Sequence, residues 1–220
     1  ELYWCAGRGN PRAGERPILE EELLFIHLLT ELESARSADI KTPLRVFFAS
    51  SAGGIYGDTG DKIATESTSP RPTGLYGEVK LRLESALKAF TARTRCVTLV
   101  GRISSLYGES KTLRGQQALL GHMAFGVANQ RPIPLFASLS TARNYIDVES
   151  AARIAISLLR QDHETTFKIR NICSPYSPSI AELVVLAHQL TGKRPLIRHE
   201  RLITAEQSRI ATEFPEGSSH

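Results

Sequence analysis

The chain has 220 residues, of which 41% are hydrophobic, and a formal net charge of +4. That length and composition fit one globular domain, or one domain with a small appendage. The charges are spread along the chain without a long block of one sign, so nothing points to nucleic acid, while small anionic ligands remain compatible.

The chain opens on Glu1-Leu-Tyr-Trp-Cys-Ala-Gly7, which has neither the basic start nor the apolar core of a signal peptide. It reads as the middle of a protein, entering on the end of a buried strand. Residues 8–17 carry loop chemistry. Residues 18–37 place Leu19, Leu23, Ile26, Leu29 and Leu32 at helical spacing and predict an amphipathic helix. Leu44 to Ser50 is a β-rich apolar run between Pro43 and Gly53, which predicts a buried parallel strand. Residues 57–74 read as a loop, and the helical period returns from Leu75 to Arg93.

Val97 to Ile103 predicts a further strand, 104–116 a loop and 117–130 a helix. Leu135-Phe136 and Tyr145 to Val148 read as short extended pieces. Glu149 to Leu159 reads as a helix with Ala152, Ile156 and Leu159 on one face, and Phe167 to Ile172 as a strand. Ser179 with Glu182 three residues on forms a capping-box signature, and Gly192 is the expected stop of that helix. The tail after 200 is weakly patterned. Strands alternating with helices argue an α/β fold with a mostly parallel sheet covered on both faces. No run of apolar residues is long enough to span a membrane. Cys5, Cys96 and Cys173 lie far apart and are odd in number, so neither a disulfide framework nor a zinc site is indicated. No metal is expected, and a cytoplasmic location is.

Tyr76 and Lys80 stand four residues apart in the helical stretch, on one face. An ammonium beside a phenol favours the phenolate, and a phenol so tuned can exchange protons near neutral pH. Upstream, the strand ending at Ser50 runs into Ser51-Ala-Gly-Gly-Ile-Tyr-Gly57. Ligands of open α/β sheets bind beyond the carboxyl ends of strands, where a serine could share a substrate hydroxyl with Tyr76. The letters Gly54-Ile-Tyr-Gly57-Asp-Thr-Gly60 match GxxGxxG. A dinucleotide fingerprint needs a helix directly after it, and Asp61 to Pro72 has no helical period, so the match is set aside.

Phe48-Ala-Ser-Ser-Ala-Gly-Gly-Ile-Tyr-Gly57 followed by Leu75-Tyr-Gly-Glu-Val-Lys80 resembles the extended short-chain dehydrogenase/reductase family, the NAD-dependent epimerase/dehydratase group. Gly101-Arg-Ile-Ser-Ser-Leu-Tyr-Gly108, Ala142-Arg-Asn-Tyr-Ile-Asp-Val148 and Asn171-Ile-Cys-Ser-Pro-Tyr-Ser177 resemble later segments of that family in the family's order. The resemblance implies a Rossmann-type doubly wound sheet, NAD or NADP as cofactor and a nucleotide-sugar substrate. It implies Tyr76 as acid/base, Lys80 as the holder of the nicotinamide ribose, and Ser51 as the group that binds the hydroxyl being oxidised. Ser50 stays beside Ser51 as a candidate, because the spacing from Ser51 to Tyr56 is one residue longer than in many members. Ala6 and Ser50 would border the cofactor, and Ser105 and Arg143 the substrate.

The family's glycine fingerprint is absent from this sequence, which implies that about 60–70 residues precede Glu1 in a complete member, the length of two βα units. A last segment is expected to be missing too, and the chain alone is expected to bind cofactor poorly. Ser105 stands where many members carry Asn, and Asn144 and Asp147 where many carry Asp and His. Ala52-Gly53 replaces the Asp-Glu of the 4,6-dehydratases, so elimination of water lacks its acid and base. The expected division is 1–110 as the rest of the dinucleotide-binding domain and 111–220 as mainly substrate-binding, with 141–172 returning to the sheet. The expected reaction is 4-epimerisation through a 4-keto sugar. A one-way 4-ketosugar reductase or dehydrogenase, or a non-catalytic truncated relative, is the alternative. A homodimer through 18–37 and 75–93 is the expected assembly.

Overall fold

The computed structural model describes residues 1–7, 14–36, 43–108, 119–161, 165–200 and 208–213. At its centre four parallel strands lie in the order β1 (Leu2–Trp4), β2 (Arg45–Ser51), β3 (Val97–Ile103) and β7 (Phe167–Ile172). The register pairs Ser51 with Ile103, and Ile103 with Ile172, so these strands end together.

Successive side chains of a strand point to opposite faces. Val46 and Phe48 accordingly join Val100 on one face, beneath α1 (Glu15–Arg36) and α3 (Leu75–Thr94), which contribute Phe25, Leu29, Leu83, Leu87 and Phe90. Phe47, Leu99 and Ile172 turn to the other face and meet Ala151, Ala155 and Leu159 of α5 (Val148–Arg160). Each of the larger side chains contributes about 1.5–3 kcal/mol by leaving water. The result is the α/β doubly wound arrangement expected from the sequence.

Two predicted helix faces are rotated. In α1 the packed stripe is Ile18, Phe25 and Leu29, whereas Leu19, Leu23 and Ile26 are exposed. This helix is apolar on more than one side. Phe25 selects the inner one by packing its ring 5.2 Å from that of Trp4 and 4.7 Å from that of Phe48. In α5 the stripe is Ala151, Ala155 and Leu159, and Ile156 is exposed. Small residues win there because a helix laid on a sheet approaches closely.

The stretch between β2 and the expected loop of 57–74 forms a short helix, α2 (Ala52–Tyr56), capped by the Ser51 side chain accepting from the Gly54 N–H at 3.2 Å. The helix ends at Gly57, whose φ of 62° is the left-handed conformation that glycine tolerates. No helix follows Gly60, in keeping with setting aside the glycine match.

The remaining described elements lie beyond the strand ends. β4 (Ser105–Tyr107), in a stretch expected as loop, pairs with β6 (Tyr145–Asp147). β5 (Ile133–Leu135) pairs with β8 (Ile197–His199). Met123 and Val127 of α4 (Leu119–Asn129) pack with Ile133 and with Leu183 of α6 (Ile180–Thr191). The expected capping box of Ser179 and Glu182 is formed, and Gly192 closes α6 at φ 66°. Within the stretch expected to return to the sheet, β7 does so, while β6 belongs to the smaller pair. The expected division near residue 110 falls outside the described residues.

Candidate active site

The ends of β1, β2 and β3 open onto a cavity of about 280 Å³. Trp4 to Gly7 line it from β1, Ala49 to Ser51 from β2, Ile103, Ser104 and Leu106 from β3 and β4, and Tyr76 and Lys80 from α3. This is the carboxyl end of a parallel sheet, where such folds bind ligands.

Tyr76 and Lys80 reach the same cavity because they are one helical turn apart near the start of α3. Gly77, between them, makes the arrangement possible. A Cβ there would stand 1.9 Å from the carbonyl oxygen of Gly54, so only glycine lets α3 approach α2 this closely. Gly54 in turn leaves room for the Tyr76 ring, whose Cε1 would lie 3.0 Å from a Cβ at that position. The outcome sets the Tyr76 phenol and the Ser51 side chain against the same cavity, with the Ser51 hydroxyl drawing the phenol's titration down.

The Lys80 ammonium is buried, with 6% of the residue exposed. It donates to Glu21 Oε1 at 2.6 Å and to the carbonyl of Ala49 at 3.3 Å. It lies 5.8 Å from the centre of the Tyr76 ring and 5.1 Å from that of Phe48. Burial pushes the Tyr76 phenol above its ordinary value, the Ser51 hydroxyl pulls it down, and the Glu21 carboxylate pushes it up again. Burial is the largest of these effects, and the Lys80 ammonium beside the phenol is partnered by Glu21 at contact distance.

Ser50 borders the cavity, but its hydroxyl donates to Glu84 Oε1 at 2.7 Å. Glu84 also accepts from Arg102 Nη2 at 2.7 Å, and Arg102 donates to the Tyr56 hydroxyl at 3.0 Å. Tyr56 donates to Asn171 at 2.9 Å. Ser50 thus serves a buried polar network under α3, and Ser51 is the hydroxyl beside Tyr76. Ala6 lines the cavity. Ser105 and Arg143 are not among its lining residues. The Ser105 N–H donates to the Asn144 carbonyl at 3.2 Å, and the Arg143 backbone is held between Pro178 and Ser208. Asn144 is tied by its side chain to the carbonyls of Ser174, Tyr176 and Ile210, and Asp147 caps α5.

Two residues here have no role implied by the sequence motifs, although Ser104 lies within the Gly101–Gly108 segment. Glu21 sits on the packed side of α1, three residues after Ile18 and four before Phe25, and a carboxylate on an apolar stripe is its one sequence signal. Ser104 is 7% exposed, lines the cavity, and its hydroxyl has no hydrogen-bond partner among the described residues. A buried hydroxyl left without a partner is costly. The lining therefore combines a phenol, the Ser51 hydroxyl, an ammonium and the apolar walls of Trp4, Ile103 and Leu106. That donor set fits a polyhydroxylated ligand with a flat ring, which a nicotinamide riboside is.

The model of the NAD dependent epimerase/dehydratase family matches residues 7–173, and the chain belongs to that family. It is 27% identical over 154 residues to the dTDP-4-dehydro-6-deoxyglucose reductase of Escherichia coli, a match covering 70% of this chain and 48% of that protein. It is 26% identical over 129 residues to the dTDP-L-rhamnose 4-epimerase of Burkholderia thailandensis, covering 56% of this chain and 34% of that protein. These matches thus span half or less of the curated relatives' length. The UDP-glucuronic acid 4-epimerase of Bacillus cereus, solved with UDP-glucuronic acid and NAD, shares the fold with a TM-score of 0.80 at 15% identity, over 95% of this chain and 65% of that one.

Proposed function

We propose that the protein to which this chain belongs is an NAD(P)-dependent nucleotide-sugar 4-epimerase, with Tyr76 as acid/base. The observation that carries the reading is the convergence of Ser51, Tyr76 and Lys80 on one cavity at the mouth of the parallel sheet, with the Lys80 ammonium 5.8 Å from the centre of the Tyr76 ring. The nicotinamide cofactor supplies a hydride acceptor that can return the hydride to the sugar carbon. Tyr76 takes the proton of the sugar hydroxyl as the carbonyl forms, and gives it back when the carbonyl is reduced from the other face. Ser51 orients that oxygen through its hydroxyl. Lys80 holds a ribose hydroxyl. Ala6 and Ser50 contribute to the wall. Ser105 and Arg143 are proposed to meet the sugar nucleotide beyond the cavity.

A one-way 4-ketosugar reductase is the second reading, favoured by the 27% identity to the Escherichia coli reductase. The outward Leu19, Leu23 and Ile26 of α1 support a homodimer through that helix. No helix among the described residues is long and apolar enough to cross a membrane.

The test is an assay with UDP-, GDP- and dTDP-sugars and either cofactor, on this chain and on the same reading frame extended upstream of Glu1. Product is resolved by chromatography and reduced nicotinamide by absorbance. An epimerase yields the epimer with no net change of cofactor. A reductase consumes reduced cofactor in step with keto sugar. Tyr76→Phe should lower either rate by about 10²–10⁴-fold, the usual worth of a positioned acid/base. Absence of epimer, of cofactor turnover and of cofactor binding in the extended form would leave a non-catalytic relative.

A further inference from the structure

Next to Tyr76 lies a buried ion pair that the proposed proton transfer does not use. Lys80 enters it from α3 and Glu21 from α1, 59 residues away. Their side chains are 7% and 4% exposed, and Nζ and Oε1 are 2.6 Å apart. Charges taken out of water at this depth persist only when they are partnered. The surroundings are shaped to the carboxylate. A Cβ at Gly7 would stand 3.0 Å from Glu21 Oε2, so the turn after β1 makes room for it by carrying no side chain.

Among the described residues, the groups facing this pair come from several packed elements. The loop after β1 brings the Cys5 thiol, whose titration senses Lys80, α1 brings Glu21, and α3 brings Lys80 and Tyr76. The end of β2 brings the Ser51 hydroxyl and the Ala49 carbonyl. An ammonium alone at this distance from a phenol favours the phenolate, whereas an ammonium and a carboxylate in contact present a dipole, whose effect on the phenol is much smaller.

We propose that Glu21 is a positioning residue, which holds the Lys80 ammonium at the cavity wall and offsets its charge at Tyr76, so setting the pH at which Tyr76 exchanges its proton. The proposal rests on the reading of Tyr76 as acid/base. Glu21 touches neither substrate nor cofactor in it and acts through Lys80. The upward push of the carboxylate on the Tyr76 phenol is in the direction this requires.

The test needs neither cofactor nor sugar, so its outcome is separable from that of the turnover assay. Tyrosinate formation is followed by ultraviolet absorbance on the 220-residue chain, each variant being read against its Tyr76→Phe partner to isolate Tyr76. Circular dichroism confirms that each chain is folded. In Glu21→Gln, Tyr76 should titrate about one pH unit or more below its value in the native chain. If Glu21→Gln does not fold, Glu21→Gln/Lys80→Met removes both charges together. In that chain Tyr76 should titrate within a few tenths of a unit of the native value, because an offset pair and no pair act alike. An unchanged titration in folded Glu21→Gln overturns the proposal. So does a displacement of a full unit in the double variant.

Discussion

The hydroxyls of Ser50 and Ser51 leave β2 for different surroundings. Ser50 continues the parity of Val46 and Phe48, the face covered by α3, and meets the carboxylate of Glu84. Ser51 ends the strand, caps α2 and reaches Tyr76. The two substitutions to alanine should therefore report on different properties. Ser50→Ala removes a buried hydrogen bond to a charged group and should lower unfolding free energy by about 1–3 kcal/mol in urea. It should leave the Tyr76 titration where it was. Ser51→Ala removes the interaction that pulls the Tyr76 phenol down, so the phenol should ionise at higher pH. Tyrosinate absorbance read against Tyr76→Phe checks both. Equal titration shifts in the two variants would show that the serines had been assigned the wrong way round. Period-two alternation already separates these neighbours, which makes this choice one that the sequence alone could have settled.

Among the elements, β2, α3 and α6 are legible, as are β3 and β7, since each is specified by its own residues. A β-branched and aromatic run makes β2, one helical turn links Tyr76 to Lys80, and a capping box with a terminal glycine bounds α6. The inner face of α1 was not legible, because Leu19, Leu23 and Ile26 compete with Ile18, Phe25 and Leu29 and only contact with Trp4 and Phe48 decides. The Glu21–Lys80 pair is illegible for the same reason, its partners being on different helices. Nor could α2 be read from Ala-Gly-Gly, a poor helix sequence whose conformation depends on the Ser51 cap and the close approach of Gly77. Gly77→Ala tests that approach. Its Cβ meets backbone, which cannot rotate away. The two helices must separate, at a cost of about 1–3 kcal/mol in denaturant unfolding. Tyr76 should then lose the downward pull of Ser51, raising the pH at which it titrates.

Across the whole molecule, the segment Ser208–Glu213 joins parts that no single element connects. The Ala64 N–H donates to the Arg209 carbonyl at 2.9 Å, and the Ala211 N–H to the Ala64 carbonyl at 3.0 Å. Asn144 N–H donates to the Ser208 carbonyl at 2.8 Å, and the Asn171 side chain donates to the Ala211 carbonyl at 2.7 Å. Glu66 accepts from the Asn171 N–H, the Thr212 hydroxyl and the Glu213 N–H. The segment thus ties the loop after α2, the strand β7 and the turn before β6 to one another. Ile210 anchors it, 3% exposed, among Ala52, Ile55, Tyr56 and Ala64. Those residues belong to or adjoin α2, whose first turn carries the Ser51 cap. Ile210→Ala should cost about 2–5 kcal/mol, the range for emptying a buried aliphatic site. Because the cavity it leaves lies against α2, the loss should spread to the site: Tyr76 should titrate nearer to its position in Ser51→Ala than to its position in the native chain. A stability loss of that size with an unshifted Tyr76 would mean that α2 is held by Ser51 and Gly77 alone, and that the closing segment supports the fold without supporting the chemistry.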